Sequence, residues 1–179
     1  MKKLIIVSLV FLTAISLAQG QTKKEETRKE QKAERTALKK LEGTNVSKMA
    51  KESFQSDYGN IQNVQWKRNG TFDEAEFTRD GKKITAFYDI EGKMVGTTQQ
   101  ANWSDLPAKV QAEIKTTYKD YTVGPVIFFD DNEANETDMV MYGIQFDDTD
   151  TYLVELVKGT KMIVVQVDKQ GMVNFFKQL

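Results

Sequence analysis

The chain of 179 residues contains no cysteine and no histidine, and it has only two prolines. Without cysteine it can form no disulfide, no thiolate metal site and no cysteine nucleophile. Without histidine it can form no Ser-His-Asp triad, no histidine general base and no histidine-ligated zinc site. Catalysis would have to depend on carboxylates, lysine or tyrosine. We therefore predict that the protein is not an enzyme, and we expect neither a metal site nor a cofactor.

Long apolar runs are also scarce, and the longest stands at the beginning of the chain. Residues 4–17 are mainly apolar, they follow Lys2 and Lys3, and they lead into Ser16, Leu17 and Ala18. This order is typical of a signal peptide, which we assign to residues 1–18. The run is shorter than the roughly 20 residues of a membrane span, and no cysteine is present for a lipoprotein anchor. We expect a periplasmic or secreted protein without stable membrane insertion.

The formal net charge of -1 hides an uneven distribution of charge. Residues 23–51 hold ten Lys or Arg against five Glu, whereas residues 120–157 hold ten Asp or Glu and no Lys or Arg. Residues 19–43 offer few apolar side chains to bury, so we interpret them as a charged tether. A basic arm that docks on membrane or on an acidic partner is the alternative. The acidic half would repel phosphate, so we expect no nucleic-acid partner.

Two amphipathic helices share one pattern of apolar residues. In both, the apolar positions fall four residues apart, which places them on one helix face. The first helix, in residues 46–58, and the second, in residues 104–121, align at an offset of 60 residues. The matched pairs are Val46 with Leu106, Ala50 with Val110, Phe54 with Ile114 and Tyr58 with Tyr118.

Short strand patterns follow each helix, separated by glycine-containing turns that favour antiparallel connections. In the first half they cover residues 64–67, 72–79, 82–88 and 93–98. Residues 72–79 and 82–92 align with residues 151–158 and 161–171 at an offset of 79. We therefore predict two repeats, residues 44–103 and 104–179, of a helix plus a four-strand meander. The second repeat would carry an inserted acidic hairpin within residues 123–146.

These elements predict an α+β fold with one continuous antiparallel sheet, helices on one face, and an open concave second face. Alternation along the strands assigns residues to the two faces. The side chains expected against the helices are Ala75, Phe77, Ile84, Ala86, Tyr88, Val154, Leu156, Ile163, Val165 and Val167. The open face would then present Glu74, Glu76, Thr85, Phe87, Leu153, Glu155, Val164 and Gln166, and all of these except Thr85 and Val164 are candidate binding residues. Such a mixture of apolar and acidic groups is typical of a recognition surface, although an ordinary half-solvated sheet is the alternative.

Three further features have both a functional and a structural interpretation. Glu76 and Glu155 stand at equivalent positions, but acid/base catalysis by two carboxylates needs a separation of roughly 5–10 Å. The acidic loop 130–138 has enough oxygens for Ca²⁺ but lacks EF-hand spacing, so a solvated turn is favoured. Trp103 precedes the second helix, where it could staple the helix entry or stand exposed as a binding anchor.

The ordered set of motifs resembles one known family. The motifs are Phe54 and Tyr58, then Val64-Gln65-Trp66, Phe72-x-x-Ala75-x-Phe77, Ala86-Phe87-Tyr88-Asp89-x-x-Gly92, Thr97-Thr98, Leu106-Pro107 and Asp168-x-x-Gly171. From about Val46 onward, the chain resembles the PepSY-like, beta-lactamase-inhibitor-like exported proteins of Bacteroidetes. The resemblance implies a tandem helix-plus-four-strand fold whose concave sheet grips a protein partner. It does not imply inhibition of a beta-lactamase.

The sequence thus predicts an exported, non-catalytic protein-binding module with a protein or peptide partner, inhibitor-like in that it would act by covering a partner's site. The predicted binding residues are those of the open face, together with Trp103. The alternative is a structural or sensory accessory of the cell envelope that docks through its basic N-terminal arm.

Overall fold

The structure, a computed structural model, describes residues 45–147 and 149–179. The predicted signal peptide and charged tether lie outside the described residues. Both predicted helices are present. Helix α1 spans Lys48–Tyr58 and α2 spans Ala108–Thr117, preceded by a 3-10 turn at Trp103–Asp105. The second helix begins later than predicted because Pro107 holds Leu106 in an extended conformation, with ψ 141°.

The described residues contain ten strands, four between α1 and α2 and six after α2, and eight of the ten form one antiparallel sheet. The strands are β1 (Gln65–Asn69), β2 (Phe72–Arg79), β3 (Lys82–Tyr88), β4 (Met94–Ala101), β5 (Thr122–Asp131), β6 (Met139–Met141), β7 (Ile144–Phe146), β8 (Thr151–Lys158), β9 (Lys161–Val167) and β10 (Val173–Gln178). The order in the large sheet is β1-β2-β3-β4-β5-β8-β9-β10. Strands β6 and β7 pair only with each other. The coarse prediction of an α+β fold with an open antiparallel sheet is confirmed.

Both helices lie on the same face of the large sheet, over different strands. Ala50 and Phe54 of α1 pack on Ala75, Phe77 and the strand β3 residues beside them. Around α2 a second cluster forms, made of Leu106, Val110, Ile114, Val126, Val154, Leu156, Ile163, Val165 and Val167. The predicted helix-facing side chains therefore lie in these two cores, with Ile84 partly buried at the margin of the first. Strand alternation placed them correctly.

A buried ion pair ties the start of α1 to the first hairpin. Asp73 has no solvent exposure, and the Arg68 side chain is only 6% exposed. The guanidinium donates from Nε to Asp73 Oδ1 at 2.7 Å and from Nη2 to Oδ2 at 2.5 Å. The Ser47 backbone N–H donates to the same carboxylate at 2.9 Å, and Ser47 Oγ caps the helix by accepting from Ala50 N. These hydrogen bonds compensate for the burial of the charged groups, and they fix the start of α1 to the β1–β2 hairpin.

The hairpin β6–β7 lies on the sheet face opposite the helices. Met139 and Phe146 are buried there with Phe72, Phe87 and Phe129 of the large sheet. The Phe129 and Phe146 rings meet edge-on with centroids 5.4 Å apart. Among the described residues no backbone pairing joins the hairpin to the large sheet, so side-chain contacts hold it there. The insertion predicted from the repeat offset therefore supplies a cover for part of the second face.

This cover corrects the prediction of a fully open face. Phe87 is 7% exposed and Leu153 is 0% exposed, so neither can anchor a partner in this conformation. Glu74 is also buried, at 6% exposure, and its carboxylate Oε2 forms an ion pair with Lys67 Nζ at 2.9 Å. Alternation had assigned these three residues to the correct face, but it carries no information about what lies over that face.

In chain order, α1 is followed by strands β1–β4 of the large sheet, and α2 is followed by its strands β5, β8, β9 and β10. The turns after β3 and β9 approach the two helices in the same manner. A Cβ on Gly92 would lie 2.6 Å from Met49 Cβ, and a Cβ on Gly171 would lie 3.3 Å from Val110 Cγ2. Both glycines have positive φ, at 74° and 77°. The correspondence is that of the predicted repeats, while their common origin stays a prediction.

Because Phe146 of the hairpin is buried against the sheet, we predict that its truncation destabilises the protein strongly. Phe146→Ala should lower the free energy of unfolding by about 3–5 kcal/mol, because it removes a buried ring and leaves a cavity. The measurement is urea unfolding followed by tryptophan fluorescence. The matched control is Met49→Ala, since Met49 lies on α1 and is 47% exposed; its cost should stay near 0.5 kcal/mol. Equal costs for the two variants would show that the hairpin does not pack on the sheet.

Candidate functional site

A groove of about 420 Å³ opens at the β1 margin of the large sheet. Its lining combines the loop after α1 with the outer strands. The lining residues are Asn60, Ile61, Gln62, Asn63, Gln65, Glu76, Phe77, Thr78 and Lys83, and we call this the β1 groove. Glu76 is the one predicted binding residue that lines it.

Side-chain amides dominate the chemistry of the β1 groove. Four of its nine lining residues are Asn or Gln, and each amide offers both donors and an acceptor. Glu76 and Lys83 form an ion pair of 2.9 Å, with 41% and 68% exposure of their side chains. An exposed pair of this kind contributes little to stability, so its two groups can exchange partners at low cost. The groove can therefore recognise a neutral polar group through several hydrogen bonds.

The β1 groove also lies at an edge of the large sheet. Within the described residues, β1 pairs with β2 and has no strand on its outer side. Gln65 belongs both to this edge and to the groove. Edge strands present backbone N–H and C=O groups that an added extended segment can pair with. The geometry thus combines backbone pairing positions with adjacent side-chain amides.

In the second half of the sheet, the predicted binding residue Glu155 contacts the hairpin. Its Oε1 accepts from the Tyr142 hydroxyl at 2.9 Å. Burial and then the neighbouring Glu155 raise the pKa of Tyr142 above its usual value. Lys177 Nζ donates to the Tyr142 backbone carbonyl. Glu155 therefore helps to hold the hairpin, and Gln166 stays half-buried on β9.

Tyr142 occupies an unusual backbone position in this contact. It forms the hairpin turn with Gly143, and both residues have positive φ, at 52° and 74°. Two-residue turns of this kind favour Asn, Asp or Gly at the first position, because a bulky side chain is strained there. The hydrogen bond to Glu155 and the ring contact with Phe176, at 6.4 Å between centroids, offset that cost. Sequence reasoning missed this anchor, since Tyr142-Gly143 does not look like a preferred turn.

The two predicted carboxylates do not form a pair. Glu76 lies on β2 and Glu155 on β8, so the sheet order separates them by four strand spacings. At roughly 4.8 Å a spacing this is about 19 Å, well beyond the range of roughly 5–10 Å for glycosidase pairs. The arrangement does not support acid/base catalysis by these two residues.

The acidic loop is tied to the first half of the sheet through Asp89. Asn135 Nδ2 donates to Asp89 Oδ2 at 3.2 Å, and Thr137 Oγ1 donates to the same atom at 3.5 Å. The other carboxylate oxygen of Asp89 accepts from the backbone of Glu91 and Lys93. The sequence marked Asp89 only as part of a turn, so this second role was missed. Among the described residues, no group of three or more acidic side chains is arranged to hold a metal ion.

Trp103 lies on the helix face of the sheet, in the 3-10 turn. It is half-buried against the α2 core, and the Lys115 ammonium lies 5.8 Å from its ring centroid. The prediction that placed it with the open-face residues is therefore wrong, and the packing interpretation is correct. Asp105 caps the same turn by accepting from Asn102 N at 2.7 Å.

A second cavity on the helix face was not predicted. It measures about 220 Å³ and is lined by Pro107, Phe128, Asp150, Tyr152, Val167, Asp168, Lys169 and Gly171. Its volume falls below the roughly 300–1,000 Å³ typical of small-molecule sites. The Phe128 and Tyr152 rings form its aromatic wall, with centroids 4.8 Å apart. Neither side chain belongs to a motif that sequence reasoning could have used.

Comparisons with solved structures identify the fold. A DUF2874 family protein from Bacteroides uniformis is similar with a TM-score of 0.60 and 12% identity, over 75% of this chain and 90% of that one. A BLIP-like protein from Bacteroides fragilis has a TM-score of 0.56 and 17% identity, over 75% and 87%. A presumed periplasmic protein from Bacteroides eggerthii has a TM-score of 0.58 and 12% identity, over 75% and 88%.

These similarities show a fold shared with BLIP-like and DUF2874 proteins of Bacteroides. At such low identity they establish the fold alone. No protein-family model matches the chain, and no curated protein matches it. In the part of the chain that the structure describes, no helix has the length and apolar character needed to cross a membrane.

We predict that ionisation of Asp130, in the acidic loop, makes the thermal stability of the protein depend on pH. Burial, then the charges of Asp150 and Glu133, raise the pKa of Asp130, and Lys169 offsets this only in part. A carboxyl group with a raised folded pKa favours the native state when protonated, and this contribution is lost as pH rises through that pKa. Asp130→Asn should therefore raise the Tm at pH 7, and the gain should vanish near pH 3. Thermal unfolding at both pH values tests this, and an equal gain at pH 3 would contradict it.

Proposed function

We propose that this protein is an exported, non-catalytic module that binds a protein or peptide partner at the β1 groove. The observation that carries the proposal is the coincidence of an amide-rich groove with an unpaired sheet edge. An extended segment could pair with β1 through its backbone, while its side chains or amides contact the groove residues.

The chemistry of the site supports binding in preference to reaction. The β1 groove holds no close carboxylate pair, and the chain has no histidine or cysteine to act as a base or nucleophile. The two ionisable groups in the groove, Glu76 and Lys83, already neutralise each other. The proposed mode of action is occlusion: a rigid edge and groove cover part of the partner, and no covalent bond changes.

The finer assignments rest on the sequence and on fold similarity. A BLIP-like neighbour supports an inhibitor-like role, and a presumed periplasmic neighbour supports export. Membership of the PepSY-like group and the origin by tandem duplication belong to the same proposal. The matched turns at Gly92 and Gly171, both close to the start of a helix, support the duplication.

The experiment is capture of partners from periplasmic extract by the purified protein and by two matched variants. Thr78→Arg places a long cationic side chain in the β1 groove, where Thr78 is exposed. Thr160→Arg makes the same change in the exposed turn between β8 and β9. We expect Thr78→Arg to reduce the captured partner at least tenfold, because hot-spot losses exceed about 1.4 kcal/mol. Thr160→Arg should bind as the unmodified protein does.

Equal capture by both variants would overturn the β1 groove as the binding site. The alternative function, an envelope accessory, makes a different prediction. Retention on anionic vesicles that is lost when residues 23–43 are deleted would favour it, because that segment carries the basic charge. A protein that captures a partner through the groove and ignores vesicles fits only the proposed binding module.

A further inference from the structure

The two edges of the large sheet differ in chemistry. The β1 edge presents three exposed polar or charged side chains, Gln65, Lys67 and Asn69. The β10 edge exposes no charged side chain: it presents large apolar groups together with the amides of Asn174 and Gln178. Phe175 is 61% exposed on this strand, and Met172 and Leu179 at its two ends are 57% and 48% exposed. Within the described residues, β10 pairs with β9 and has no strand on its outer side.

The one charged side chain on β10 does not guard this edge. Lys177 is half-buried, and its Nζ donates to the Tyr142 carbonyl at the tip of the hairpin. A Cβ on Gly143 would lie only 3.4 Å from the same Nζ. An edge lysine normally points outward and makes pairing with another strand costly. Because the hairpin draws Lys177 inward, the backbone pairing groups of β10 lie beside a surface that carries no exposed charge.

We propose that β10 pairs antiparallel with β10 of a second copy of this chain. The pairing would be centred on Phe175, so that the two eight-stranded sheets continue into each other. The two Phe175 rings would then lie side by side near the two-fold axis and remove each other from water. The occupant is a second copy because an antiparallel strand centred on its own midpoint is complementary to itself.

Charge supports this register. With Phe175 opposite Phe175, Lys177 lies opposite Val173 of the other copy, and Asn174 lies opposite Phe176. No like-charged side chains face each other, so the main electrostatic obstacle to pairing of identical strands is absent. Pairing of β10 with β1 of another copy would instead place β10 against exposed Lys67, and it would leave an edge at each end for further growth.

The interface would be small. A register shift between Phe175 and Lys177 on β10 bends the strand and limits the length that can pair. One strand pair buries less than the roughly 1,200–2,000 Å² of a standard interface. We therefore expect a dimer that dissociates in the micromolar range. This proposal does not depend on the β1 groove, which lies at the opposite edge of the sheet.

The absence of native cysteine makes a direct test possible. Phe175→Cys places a single thiol on the proposed two-fold axis, and Met49→Cys places one at a position of 47% exposure on α1. Under mild oxidation the Phe175→Cys protein should form a disulfide-linked dimer at least tenfold faster than the Met49→Cys protein. Equal rates of crosslinking would overturn the proposal, because they would reflect random collision.

Sedimentation equilibrium on the cysteine-free protein provides the second readout. The average mass should rise with concentration between about 1 and 300 µM, and Phe175→Lys should remain monomeric over this range because it places two like charges together. Circular dichroism checks that Phe175→Lys is folded. A protein that stays monomeric at all concentrations, or a folded Phe175→Lys variant that dimerises equally well, would contradict the proposal.

Discussion

The packing of the β6–β7 hairpin on the second face of the sheet is the constraint on which the remaining surface depends. Two helices can cover only one face of an eight-stranded sheet, and apolar residues such as Phe87 and Phe129 point to the other. Left in water, they would form an exposed apolar patch of the kind that causes association. Met139 and Phe146 of the hairpin pack over these apolar residues and bury them within the same chain.

Much of the fold could be predicted from local sequence patterns. Strands β2 and β3 have the predicted bounds, because their alternation and their glycine turns are strong local signals. The cores beneath α1 and α2 also follow from the spacing of residues such as Phe54 and Ile114. These features depend on neighbours within a few residues of each other, which is the range that periodicity reports.

The candidate site was predicted less well, for a physical reason. Alternation gives the face on which a side chain lies, but a cover contributed by a distant segment leaves no trace in that pattern. Phe87 is buried by residues about 50 positions later in the chain, and Asp89 is bound by Asn135 over a similar distance. The offset between the two halves predicted an additional hairpin in the second half. It could not reveal that this segment folds back over the sheet.

Because the hairpin covers the middle of the second face, the candidate binding surfaces lie at the two edges of the sheet. On the β1 side, amides and an exposed ion pair lie beside the outer strand. On the β10 side, the most exposed groups are the apolar side chains of Met172, Phe175 and Leu179. The difference arises in part from the hairpin itself, since its tip takes Lys177 away from the β10 edge. The β6–β7 hairpin thus covers part of the second face, and it also influences which side chains the β10 edge exposes.

Oxidation of methionines by dilute hydrogen peroxide, followed by peptide mass spectrometry, tests the covered face most directly. Met139, on β6 of the hairpin, packs against the sheet and has no solvent exposure, whereas Met49 and Met172 are 47% and 57% exposed. Exposed thioethers are oxidised readily, and a buried one reacts only when the structure opens. We expect Met49 and Met172 to be oxidised at least tenfold faster than Met139 in the native protein, and we expect this difference to disappear in urea. Oxidation of Met139 at the rate of Met172 under native conditions would contradict it.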